Sequence, residues 1–157
     1  MGMAADRRMR RDAASGAPDA GTQFAALPWR LSGGKPRVLL VTSRGTGRWI
    51  VPKGWPIAGL TPAEAAAREA WEEAGAKGEI EDRCLGLYPY IKILDDLTGL
   101  PCTVALFPLR VRRLAADWPE AGSRRRKWMS RKKAAASVAE PELARLLASF
   151  EPRAARR

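Results

Sequence analysis

The chain has 157 residues, 28 Lys and Arg against 17 Asp and Glu, no His, and a formal charge of +11. That length suits one domain with a single core and leaves no room for a second. Without histidine, a His general base or a His metal site is excluded, so acid–base and metal chemistry fall to carboxylates, Lys, Tyr or Cys, while the basic balance suits a polyanionic partner.

In chain order, residues 1–21 carry Arg7, Arg8, Arg10 and Arg11 among Ala, Gly, Ser and Pro, with almost no large apolar side chain. This is the composition of a flexible, solubilising basic arm, with nucleic-acid contact the less favoured reading. Residues 23–31 (QFAALPWRL) and 37–43 (RVLLVTS), joined through a Gly-Gly turn, read as paired strands, the second buried on both faces. A Gly-bearing loop follows at Arg44, and residues 48–52 form a short strand, so that Arg44 and Arg48 flank the entrance to the next stretch.

That stretch, residues 54–76 (GWPIAGLTPAEAAAREAWEEAGA), organises the rest. Thr61, Pro62 and Glu64 make a capping box with proline at N1, and Gly75 is the stop, which predicts a helix between them. Glu69, Glu72 and Glu73 stand at offsets of zero, three and four and crowd one side of that helix. Only Arg68 is close enough to relieve their repulsion, so a divalent cation is the natural neutraliser, and oxygen-only ligands favour Mg²⁺ or Mn²⁺. Ala63, Ala66, Ala67, Ala70 and Ala74 make the other face small and apolar, which lets the helix lie close against a sheet or loop.

Residues 78–93 (GEIEDRCLGLYPYIKI) read as a strand or bent strand pair, with Asp95 and Asp96 in the turn that follows, and residues 101–114 as a long antiparallel return strand. Tyr88, Tyr90 and Lys92 alternate onto one face and read as ordinary sheet residues that could also wall a pocket. Cys84 and Cys102, without zinc-ligand spacing, are expected to be reduced core thiols. Residues 123–133 carry seven positive charges and no negative one. Alternation sends Arg125 and Lys127 to one face and Arg124, Arg126 and Trp128 to the other, and either set could line a pocket. Residues 131–150 read as one or two helices with Pro141 near N1 of the second, before a basic tail at 151–157. No apolar run is long enough to span a membrane and no hydrophobic region follows the N-terminal charges, so a cytoplasmic protein without membrane contact is expected.

The central stretch resembles the signature of the Nudix hydrolases: Gly, five residues, Glu, seven residues, Arg-Glu, an aliphatic, any residue, Glu-Glu, any residue, Gly and an aliphatic. Gly54, Arg68, Glu69, Glu72, Glu73 and Gly75 fall in register, while Leu60 stands where the first Glu belongs and Ala70 and Ala76 fill the aliphatic positions. Residues 49–54 (WIVPKG) are similar to bacterial members that look like the diphosphoinositol polyphosphate phosphohydrolase branch. The resemblance implies an α/β (α+β) fold, the Nudix α/β/α sandwich with a mixed central sheet, over residues 22–150. It implies a metal-dependent pyrophosphohydrolase with Mg²⁺ or Mn²⁺ on Glu69, Glu73, Glu72 and the backbone carbonyl of Lys53. Glu72 is then the base or water-orienting group beside Glu69, and Arg68 holds the carboxylates, with Glu64 available as its partner in place of the missing Glu. Arg44, Arg48, Arg125, Lys127 and the Lys53 ammonium are expected to bind the phosphates of a small-molecule polyphosphate. Diphosphoinositol polyphosphates and dinucleoside polyphosphates rank first, ahead of ADP-ribose, other nucleoside diphosphate derivatives and 5′-triphosphorylated RNA. The alternative is a non-catalytic basic module on the same fold that binds RNA or polyphosphate, recognisable by salt-sensitive RNA binding without Mg²⁺-dependent phosphate release.

Overall fold

The computed structural model describes residues 21–94 and 96–153. Apart from Gly21, the basic arm lies outside these residues, as do Asp95 and residues 154–157 of the tail. The described residues form strands β1 (Thr22–Ser32), β2 (Lys35–Thr42), β3 (Trp49–Ile50) and β4 (Lys53–Gly54), then helix α1 (Pro62–Ala74). Strands β5 (Ala76–Ile80), β6 (Gly86–Ile93), β7 (Gly99–Leu114) and β8 (Arg126–Ser130) follow, and helices α2 (Arg131–Ser137) and α3 (Pro141–Ala148) are the last of the described elements.

All eight strands belong to one sheet with the order β3-β2-β1-β7-β5, to which β4 adds on β1, β6 on β7 and β8 on β2. The β1–β7 pair is parallel and the others are antiparallel, so the sheet is mixed. Gly33 and Gly34, both with positive φ, make the two-residue turn between β1 and β2 that matches strand twist.

Strand alternation divides the core into two layers. On β1 and β2, Ala25, Leu27, Trp29, Val38 and Leu40 face one side, where Leu143, Leu147 and Phe150 of the C-terminal helical segment cover them. Ala26, Leu39 and Val41 face the other side and pack on Ala63, Ala66, Ala70 and Ala74 of α1. The result is a sheet between helices, the α/β/α sandwich expected from the sequence. Each large side chain buried in these layers contributes about 1.5–3 kcal/mol.

Helix α1 begins and ends where its capping chemistry puts it. Thr61 Oγ1 accepts from the Glu64 N–H at 3.1 Å, Glu64 Oε1 accepts from the Thr61 N–H at 2.9 Å, and Gly75 closes the helix at φ 66°. Residues 78–93 hold two strands, the second of the two readings offered by the sequence, and the first begins earlier, at Ala76. One expectation needs correction. Cys84 is exposed rather than in the core, because it sits in the connection between β5 and β6, while Cys102 on β7 is buried. The parallel contact between β1 and β7, which builds the centre of the sheet, joins segments some eighty residues apart and has no local sequence signal.

Candidate active site

The C-terminal half of α1 opens onto a cleft of about 650 Å³ bounded by β4, the loop after β2, the end of β6 and the segment before β8. Among the described residues it is lined by five cations, Arg44, Arg48, Lys53, Lys92 and Arg124, and by three carboxylates, Glu69, Glu73 and Glu120. The positive majority suits a polyanion around a small acidic centre.

The acidic centre is held by backbone. The Lys53 N–H donates to Glu73 Oε1 at 3.4 Å, and a Cβ at position 54 would collide with the Glu69 carboxylate. Gly54 is therefore required for close approach rather than for an unusual φ. The last turn of α1 is tied from outside: Trp118 Nε1 donates to the Glu73 carbonyl at 3.0 Å, the Glu120 N–H to the Glu72 carbonyl at 3.0 Å, and Arg126 Nη1 to the Ala74 carbonyl at 2.8 Å. Arg126 also stacks on Trp118 at 3.8 Å. The carbonyls left free at a helix end are thus satisfied by the very segment that carries Glu120 and Arg124.

Burial pushes the Glu73 carboxyl up to about 8, against the opposing pull of Arg124 and with the help of Glu69. Glu69 is also raised, by burial first and by the charge of Glu72, although its hydrogen bond with Glu73 opposes the rise. Lys53 is lowered to about 8 by burial, with Glu73 pulling it back up, and its ammonium sits 4.1 Å above the Tyr90 ring. Two adjoining carboxyls, one of them buried, cannot both stay charged without a nearby positive charge.

The sequence expected three glutamates to converge, and two do. Glu69 and Glu73, four residues apart, line the cleft; Glu72 is half-buried to one side and is not among the lining residues. Among the described residues no three carboxylate or thiol side chains gather as a metal-ligand set. The hard oxygen donors of Glu69 and Glu73, pressed on each other and on the Lys53–Gly54 backbone, nonetheless fit Mg²⁺ or Mn²⁺, which bind one or two carboxylates and keep water or phosphate in the remaining positions.

Arg68 does not hold the carboxylates. It is exposed and faces a second hollow with Leu60, Glu64 and Trp71, and among the described residues it forms no ion pair with Glu69, Glu72 or Glu73. Nor does Glu64 pair with it: among the described residues no ion pair joins them, and Glu64 Oε1 accepts from the Thr61 N–H. The cation beside them is Arg124: Nη2 is 3.6 Å from Glu73 Oε2, Nε donates to Glu120 Oε1 at 2.6 Å, and Nη1 donates to the Thr42 carbonyl at 3.0 Å.

Arg125 and Lys127, expected to bind substrate, are exposed and do not line the cleft; Arg125 lies over Trp49 at 5.6 Å. The reason is register. The Arg125 backbone exchanges hydrogen bonds with Thr42, which turns the side chains of Arg124 and Arg126 inward and those of Arg125 and Lys127 outward. Arg44 and Arg48 do line the cleft, and Arg48 is paired with Glu140 at 3.6 Å. Tyr90 and Lys92 also line it, while Tyr88 is buried in the core. Sequence reasoning passed over Glu120 and Gln23, whose single positions carry no periodic signal.

The family model for the NUDIX domain matches residues 22–150. The chain belongs to the Nudix family. Relatives of this Nudix chain include Nudix hydrolase 12, mitochondrial, of Arabidopsis thaliana, 36% identical over 104 residues that span 64% of this chain and 51% of the relative. Diphosphoinositol polyphosphate phosphohydrolase 3-alpha of Mus musculus is 39% identical over 94 residues, 58% of this chain and 53% of that protein. The chain spans about half the length of these curated relatives. The Nudix fold is matched by the crystal structure of the C. elegans Ap4A hydrolase with a TM-score of 0.57 and 21% identity, covering 81% of this chain and 92% of that one.

Proposed function

We propose that this chain is a divalent-metal-dependent pyrophosphohydrolase that cleaves a phosphoanhydride bond in a nucleoside or polyol diphosphate. Diphosphoinositol polyphosphates and dinucleoside polyphosphates are the first candidates. The observation that carries the reading is the pair of carboxylates, buried Glu73 and half-buried Glu69, set against the Lys53–Gly54 backbone within a cleft otherwise dominated by cations. The mouse relative, a diphosphoinositol polyphosphate phosphohydrolase, and the worm structural neighbour, an Ap4A hydrolase, point the same way.

On this reading Glu69 and Glu73 hold Mg²⁺ or Mn²⁺, with the Lys53 carbonyl as a backbone oxygen close by. The cation supplies charge neutralisation and a more acidic bound water. Water adds to one phosphorus, giving its proton to a carboxylate of the cleft, and the bridging oxygen leaves with the other phosphate; Glu72, outside the lining, adds its charge from beside Glu69. Arg44, Arg48, Lys92 and the Lys53 ammonium bind phosphate oxygens by charge-assisted hydrogen bonds. Arg124 holds Glu73 in place between Glu120 and the end of β2.

The test is release of phosphate or mononucleotide from a panel of such diphosphates with Mg²⁺ and with Mn²⁺, comparing the unaltered protein with Glu73→Gln. Loss of several kcal/mol of transition-state stabilisation, roughly 10²-fold or more in rate, is expected for the folded variant. Full activity in Glu73→Gln, or no metal-dependent release from any panel member, would remove the proposal.

A further inference from the structure

Lys53 makes two separate contacts in the cleft. Its backbone N–H on β4 donates to Glu73, while its ammonium sits 4.1 Å from the centroid of the Tyr90 ring on β6. A lysine side chain is a flexible four-carbon stem bearing a compact, strongly hydrated charge, so fixing it in one place away from bulk water costs rotamer freedom and hydration. Something must offset that cost. Glu73 attracts the ammonium, but among the described residues no carboxylate lies within ion-pair distance of it, and Lys92 and Arg124 of the same cleft repel it. The group in direct contact is the negative face of an aromatic ring.

Tyr90 is suited to that task by where it stands. Its backbone pairs with Cys102 of β7, and its ring packs against the core cluster that contains Tyr88, Val104 and Leu143 while still lining the cleft. The ring is therefore held by the fold before any ligand arrives. A leucine at this position could fill the same space, but it has no π-surface to offer a cation.

We propose that Tyr90 is a positioning residue for phosphate binding, whose ring face fixes the Lys53 ammonium where it meets a phosphate oxygen of the substrate. This deepens the reading of the cleft as a phosphoanhydride hydrolase and rests on it. The ring acts through the lysine and not on the substrate. That separates Tyr90 from Lys92, two residues on along the same face of β6, whose charge lines the cleft directly. Ordering a side chain in advance appears as affinity, because binding no longer has to immobilise it.

The test is calorimetry of the full chain in Mg²⁺ with methylenediphosphonate, in which carbon replaces the bridging oxygen. This probe is not hydrolysed and has no ring to stack on Tyr90. Tyr90→Leu is expected to weaken binding about 5-fold, whereas Tyr90→Phe, which keeps the ring face, stays within about 2-fold of the unaltered protein. In a Lys53→Met background, adding Tyr90→Leu should change the dissociation constant by less than about 2-fold, because the group that the ring positions is gone. Should Tyr90→Leu fail to fold, Tyr90→Met takes its place in both arms. Unchanged or tighter binding by Tyr90→Leu, or an equal loss in Tyr90→Phe, would overturn the proposal. A loss that persists undiminished in the Lys53→Met background would do so too, since that is what a purely structural ring would give. Failure of the underlying reading has a different signature, an unaltered protein that does not bind the probe, and it would remove both.

Discussion

Two charged stretches meet at the cleft, the acidic last turns of α1 and the basic segment before β8, and each sends only part of its charge inward. On α1 the helical period brings Glu69 and Glu73 together and leaves Glu72 to the side and Arg68 on another face. In the basic segment Arg124 and Arg126 turn inward, one to the Glu73 carboxylate and the other to the Ala74 carbonyl, while Arg125 and Lys127 face out. A helix fixes which residues share a face by its own geometry. A strand fixes only that alternate residues share one; which set points inward depends on the neighbour it pairs with.

The sharpest way to break the acidic half is Gly54→Ala. The added methyl occupies the place of the Glu69 carboxylate, so activity should fall about 10²-fold, as displacement of catalytic groups by about 1 Å does. Overpacking should cost about 1–3 kcal/mol in a denaturant titration. Rate and melting behaviour close to the unaltered protein would mean that Glu69 does not need this contact.

On the basic half the contrast is between neighbours. Arg124→Ala removes the cation that faces Glu73 and bonds Glu120 and the Thr42 carbonyl, and should cost about 1.5–3 kcal/mol in equilibrium unfolding. Arg125→Ala and Lys127→Ala, at exposed positions, should each stay within about 0.5 kcal/mol and retain kcat/KM within about 2-fold. Similar losses in all three would show that the inward and outward sets are not distinct.

A smaller effect joins the two halves through pH. Glu73 is raised to about 8 from 4.5, so between these values the folded state binds a proton that the unfolded state has released. Stability of the metal-free protein must therefore fall as pH rises through that window. Melting temperatures in EDTA should drop from pH 5 to pH 8, and Glu73→Gln should flatten the slope. A slope unchanged in the variant would assign the titration to another group.

These contrasts also explain how much could be read from the sequence. The ends of α1 were legible because Thr61, Glu64 and Gly75 act within one turn of themselves. The pairing of Glu69 with Glu73 was legible because it needs nothing beyond the helix. Arg124 was not separable from Arg125, since the choice lies in hydrogen bonds to Thr42, more than eighty residues away. Arg68 was misplaced as a support for the carboxylates because proximity along a helix does not reveal what stands opposite. Gln23 was invisible for the same reason: only the fold brings it to the cleft.

The bonds from Trp118, Glu120 and Arg126 to the end of α1 bear on how such a molecule can diversify. A connection anchored at three successive carbonyls cannot gain or lose residues without dislodging the carboxylates, so insertions there should be rare in working descendants. The loop from Ser43 to Arg48 is held chiefly by hydrogen bonds within itself, and the turn between β6 and β7 is also a local structure. Those two rims can change length while the acidic centre stays put, which makes them the places where new preferences for the non-phosphate part of a substrate would arise.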